Sequence, residues 1–106
     1  MALSVATLNV NGLNNVNKQM KVVSLIKYYK IDILLVQEHN VKDISVLSYL
    51  SNFTEIVLNP TTNLKGGTMI CINKKTDVKL LTKEMDSSGR IVAIKVFYKK
   101  MCNSHC

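Results

Sequence analysis

The chain has 106 residues, 47% hydrophobic and 20% charged, with 14 Lys+Arg against 7 Asp+Glu and a net charge of +7. That length fits one domain, and the apolar share is too high for a disordered chain. No run approaches the roughly 20 apolar residues that span a bilayer. The N-terminal MALSVATLNVNGL has no positive stretch ahead of its apolar residues and reads as a strand, not a secretion signal. Cys71, Cys102 and Cys106 are too few and too unevenly spaced for a disulfide framework. These features argue against a secreted miniprotein, a membrane protein and a multidomain chain, and they predict a reducing, intracellular setting, nuclear or cytoplasmic.

All the cations but Arg90 are lysines. Lysine is a point charge suited to backbone phosphate, whereas arginine is the better fork for base edges. The charge therefore fits phosphate contact with a nucleic acid, or equally a solvated surface that keeps the chain soluble.

Residues 3–10, LSVATLNV, read as a strand with apolar residues on both faces. The segment 11–17, NGLNNVN, is a loop, because Asn and Gly tolerate positive φ. Asn15 or Asn17 is placed to cap a helix over 18–30, with Val22, Leu25, Ile26 and Tyr29 on its apolar face. Residues 31–37, IDILLVQ, form a short apolar run suited to a buried parallel strand, which completes a βαβ unit. Asp43 caps a short helix over 44–51 with Ile44, Leu47 and Leu50 inward. Strands follow at 54–59, ended by Pro60, and at 68–73, opened by Gly66 and Gly67. Turns at 74–77 and 86–89 then separate strands at 78–83 and 90–98. The expected fold is α/β, a mixed sheet with a βαβ start and a β meander.

Ligands of α/β sheets collect at the carboxyl ends of strands. Here the first strand ends in Asn9, Asn11 and Gly12, and the second in Gln37, Glu38 and His39. If the two strands are neighbours, Asn9 and Glu38 share one sheet end. One carboxylate with carboxamides and water is hard-oxygen ligation, which suits Mg²⁺ or Mn²⁺ and phosphoryl chemistry. The plainer reading of the same residues is an Asn-rich turn beside a solvated Glu.

TLNVNGL at 7–13, DILLVQE at 32–38 and GGTMICI at 66–72 resemble successive N-terminal motifs of the endonuclease/exonuclease/phosphatase superfamily. More closely, they resemble the apurinic-endonuclease-like domain of non-LTR (LINE-type) retrotransposons. The resemblance runs from about residue 3 to about residue 98 in the family's order. It implies the N-terminal half of a four-layer, DNase I-like α/β-sandwich over residues 1–98, followed by an irregular tail at 99–106. It also implies a Mg²⁺- or Mn²⁺-dependent DNA endonuclease that hydrolyses a phosphodiester and contacts the DNA phosphate backbone.

Glu38 would hold the catalytic metal, Asn11 would stand near it directly or through water, and Asn9 would belong to the hydrogen-bond network around the scissile phosphate. Asn at position 11 favours the retrotransposon branch, since base-excision members often carry Asp there. His39 and Asn40 depart from the family, which commonly continues with Thr and then His or Lys. Gly66 and Gly67 would be structural.

The family's later motifs are a Tyr, an Asp and Asn pair and a C-terminal Asp-His pair, and this sequence contains none of them. Its only histidines are His39 and His105. The chain is therefore expected to show little nuclease activity alone. Half a sandwich would also expose a sheet face, with Leu3, Val5, Ile33, Leu35, Met69 and Cys71 as candidates, so self-association is expected. Two rival readings remain: a non-catalytic basic remnant that binds nucleic acid, and a superfamily phosphoesterase acting on another phosphate ester. Cys102, His105 and Cys106 lack a fourth zinc ligand and read as a frayed tail. Cys71 reads as core filling.

Overall fold

The computed structural model describes residues 3–59 and 66–76 in full, and the backbone of 78–85 and 92–98. The expectations for the 60–65 loop, the 86–89 turn and the 99–106 tail, with Cys102, His105 and Cys106, lie outside the described residues.

The elements run β1 (Val5–Asn9), α1 (Val16–Tyr29), β2 (Ile33–Gln37), a 3₁₀ turn (Ile44–Leu47), α2 (Ser48–Ser51), β3 (Thr54–Asn59), β4 (Thr68–Asn73), β5 (Val78–Met85) and β6 (Val92–Tyr98). One sheet has the order β1-β2-β4-β3, and β5 and β6 form a second, two-stranded sheet. β1 and β2 are parallel neighbours, with Asn9 opposite Gln37. β4 pairs antiparallel with both β2 and β3. This is the α/β plan read from the sequence, a βαβ unit followed by antiparallel strands. β6 lies against β3 and β4 and joins the small sheet to the large one.

Helix α1 begins two residues earlier than its periodicity predicts. The Asn15 side chain accepts a hydrogen bond from the Asn17 N–H at 2.7 Å, which satisfies one of the donors left open at a helix start. It ends at Lys30, whose left-handed backbone (φ 54°) donates back to the carbonyls of Ile26 and Lys27.

The buried arc is Gln19, Val22, Val23 and Ile26. Leu25 (39% exposed) and Tyr29 (62%) are outside, contrary to the expected stripe. At 100° per residue the true arc is turned about 60° from the one drawn through the apolar residues alone. Gln19 causes that rotation. Its amide nitrogen donates to the carbonyls of Leu13 and Val46, and its amide oxygen accepts from the Leu50 N–H, so a polar side chain is fully satisfied in the core. Ile44 is likewise exposed, while Leu47 and Leu50 are buried as expected.

Pleating divides the sheet into two faces. Leu34, Val36, Leu58, Met69 and Cys71 pack with Val22, Val23, Ile26, Leu47 and Leu50 in the larger core under the helices. Ile33, Val57, Ile70 and Ile72 form a second cluster on the opposite face, with Leu3 and Leu35 against it. Met69 and Cys71 therefore belong to the helix side, not to the open face, because each strand partner fixes their parity: Val36 opposite Met69 and Leu34 opposite Cys71. Of the expected open face, Val5 is 53% exposed, on the edge strand, whereas Ile33 is buried. Burial pushes the Cys71 thiol up to about 12, so it is an inert filler, as expected. Among the described residues no helix is long and apolar enough to cross a membrane.

Candidate active site

The carboxyl ends of β1 and β2 stay zipped together beyond the strands themselves. The Val10 N–H donates to the Gln37 carbonyl (3.1 Å), Gly12 N–H to Glu38 (2.7 Å) and Leu13 N–H to His39 (2.8 Å). The loop is tight because Asn11 (φ 51°) and Gly12 (φ 105°) both take left-handed backbone, which Asn and Gly adopt at low cost. From α1, the Lys18 ammonium donates to the carbonyls of Val10 (2.7 Å) and Asn11 (3.0 Å). That lysine, though exposed, is a loop clamp, and nothing in its spacing announces the role.

On the other side the chain after β2 is tied to the start of β4. The Glu38 N–H donates to the Gly67 carbonyl, and the Asn40 N–H to the Gly66 carbonyl, both at 2.9 Å. Asn40 adds a side-chain lock: its carboxamide oxygen accepts from the Gly66 N–H at 2.7 Å, and its backbone carbonyl accepts from the Asn14 amide at 2.8 Å. Glu38 and Asn40 both sit at positive φ, 56° and 59°. Glu38 is thus held through its N–H by Gly67 and through its carbonyl by Gly12. Its side chain is exposed and makes no hydrogen bond or ion pair among the described residues.

The residue beneath it, His39, is fully buried. Its Nδ1 accepts the Val41 N–H (2.8 Å), so the proton resides on Nε2, which donates to the Asn59 carbonyl (2.9 Å). Burial is the main influence on its acidity and holds its pKa below the usual histidine value, against hydrogen bonds to the backbone of Asn59 and Thr68 that raise it. The imidazole lies directly on Gly67, where an added Cβ would fall 2.4 Å from two ring atoms. His39, which the sequence suggests as a polar residue at the ligand-collecting strand end and as a departure from the family, is instead the buried post joining β2, β3 and β4 under Glu38. Gly67 is structural, as expected.

Asn9, Asn11 and Glu38, three residues singled out from the sequence, thus share one sheet end. Asn9 stands opposite Gln37 in the register, and all three are exposed. No group of three His, Cys, Asp or Glu close enough to hold a metal exists among the described residues.

Searches with the chain match no family model and no curated protein. Solved structures do match. D. rerio TDP2 complexed with a single-strand DNA product aligns at a TM-score of 0.65 and 20% identity, over 91% of this chain and 41% of that one. An AP endonuclease from Archaeoglobus fulgidus aligns at 0.61 and 24% identity, over 90% of this chain and 37% of its own. The fold is DNase I-like. Both neighbours belong to the endonuclease/exonuclease/phosphatase superfamily, and the arrangement is consistent with an N-terminal half of that architecture. The chain spans about two fifths of the length of these structures.

Proposed function

We propose that this chain supplies the metal-carrying N-terminal half of a nucleic-acid phosphodiesterase of the non-LTR retrotransposon endonuclease type. One observation carries the reading. An exposed, unpaired carboxylate, Glu38, is fixed by backbone hydrogen bonds on both sides and shares a sheet end with two exposed carboxamides. The donor set fits Mg²⁺ or Mn²⁺, which take hard oxygen ligands and retain water. Glu38 and the Asn11 carboxamide would hold the ion; Lys18 donates to the backbone carbonyls of Val10 and Asn11 and not to the Asn11 side chain, which leaves that carboxamide oxygen available. A bound divalent ion supplies charge neutralisation at a phosphodiester. The Asn9 carboxamide donates to a non-bridging phosphate oxygen and orients it. A structural neighbour bound to single-strand DNA supports a DNA partner.

Displacement at phosphorus also needs a positioned water and a group that takes its proton. His39 is not that group, because both ring nitrogens are already engaged in the interior. The described residues therefore form a metal and phosphate site without a base, and the chain alone is expected to be inactive. An intracellular location, nuclear or cytoplasmic, belongs to the same reading.

Mn²⁺ added to the ¹⁵N-labelled chain should broaden the amides of Asn11, Gly12 and Glu38, and Glu38→Gln should remove the effect. Broadening that survives Glu38→Gln would sink the metal assignment. Plasmid nicking with Mg²⁺ should give no relaxed circles above a Glu38→Ala control. Nicking by the wild-type chain alone would support the phosphodiesterase reading and overturn the inactivity.

A further inference from the structure

A cavity of about 530 Å³ opens at the far end of the sheet from Glu38. It lies where α1 ends, α2 turns into β3, and β4 gives way to the 74–76 turn. Asp32 lines it, six residues before Glu38 along an extended strand, so the two ends stand about 20 Å apart. Its floor is apolar, from Val23, Ile26 and Phe53. Its rim carries Lys27, Lys30, Lys74 and Lys75.

The fold places two of these ammonium groups directly and fixes the backbone that carries the other two. The Lys27 ammonium sits 4.5 Å above the Phe53 ring. Lys74 donates to the Ser51 carbonyl at 2.7 Å. Lys30 occupies the left-handed cap of α1, and Lys75 is fixed in a turn where its N–H donates to the Asn73 side chain. The single acid in the lining, Asp32, pairs with none of them among the described residues. Its two oxygens accept from the Ser4 N–H (2.8 Å) and the Thr76 hydroxyl (2.6 Å). Four lysines against one acid leave the lining at 4 − 1 = +3.

We propose that this cavity is a second nucleic-acid contact, which takes one nucleotide unit of a single strand with its phosphates on the lysine rim. An apolar floor under a ring of cations matches a ligand with a hydrophobic base and an anionic backbone. A cavity of about 530 Å³ has room for a single unit and is too small to take in a stacked, paired duplex. Lysine in place of arginine fits phosphate contact without base readout. The site is separate from the Glu38 end and does not rest on the metal assignment.

The test is fluorescence anisotropy of a labelled ten-nucleotide oligothymidylate with the full chain in EDTA. Removal of two phosphate contacts by Lys30→Gln/Lys75→Gln should lower the slope of log K against log salt by about 1.4, which is about 25-fold in affinity at 0.1 M salt against the 1 M limit. Lys21→Gln/Lys42→Gln removes equal charge elsewhere and should leave the affinity within about twofold. With EDTA present no divalent ion is held at Glu38, so this site and the metal site fail separately. Equal losses in both double variants, or no loss in Lys30→Gln/Lys75→Gln, overturn the proposal. A fold-independent readout comes from the wild-type chain, whose Phe53 and Thr76 amide signals should shift on adding the oligonucleotide; unmoved signals also refute it. Thymidine monophosphate that competes as well as the strand would assign the cavity to free nucleotides and overturn the strand reading, as would a duplex that binds equally tightly through the same two lysines.

Discussion

Gly67→Ala tests whether His39 is the post beneath Glu38. Gly67 sits at φ +88°, and a Cβ there would meet the His39 ring at 2.4 Å and the Asn59 carbonyl oxygen at 3.2 Å. A side chain at such a φ costs about 1–2 kcal/mol by itself. The ring cannot stay where it is, so its bonds to the Asn59 carbonyl and from the Val41 N–H are lost. At about 1 kcal/mol net for each buried hydrogen bond, the total is about 3–4 kcal/mol. Against the roughly 5–15 kcal/mol that holds a domain together, that is a large fraction. In urea the midpoint should fall by about 2–3 M for a slope near 1.5 kcal/mol/M. In a His39→Ala background the ring is already gone, so Gly67→Ala should then cost only the backbone strain of about 1–2 kcal/mol. A loss below about 1 kcal/mol in the wild-type background, or strict additivity of the two changes, would refute the account.

Two further outcomes follow from the same geometry. His39 is held neutral in the folded chain, with its pKa below the ordinary histidine value because of burial. Its stabilising effect is complete above the unfolded value of about 6.5 and is lost as pH falls through the lowered folded value, because only the unfolded chain then binds the proton. Urea midpoints measured from pH 8 downwards should therefore decline below about pH 6.5, and His39→Gln should remove that component; an unchanged profile in the variant would contradict it. Val5, 53% exposed on the edge strand β1, should drive concentration-dependent self-association that Val5→Lys suppresses in sedimentation velocity. A wild-type chain that stays monomeric at high concentration would count against that face.

The sequence by itself determined the order of strands and helices, the Asp43 cap, a choice of Asn15 or Asn17 for the other cap, and the strand ends that carry Asn9, Asn11 and Glu38. These are local properties: β-branched runs, capping side chains and Asn or Gly where the chain turns through positive φ. Contacts between distant segments decided the rest. The pairing of β1 with β2 decided that those strand ends are one site. Gln19 reads as a surface residue until Leu13, Val46 and Leu50 bring backbone groups to its amide, and that exchange turns α1 away from Leu25 and Tyr29. Met69 and Cys71 could be given a face only by the register against β2, since alternation fixes which residues share a side but not which side is covered. His39 and Gly67 are 28 residues apart, and no pattern along the chain shows that a ring must lie where a Cβ would be. The lysine-rimmed cavity draws on α1, the α2–β3 junction and the turn after β4, so its charge exists as a site only once those three segments are packed together.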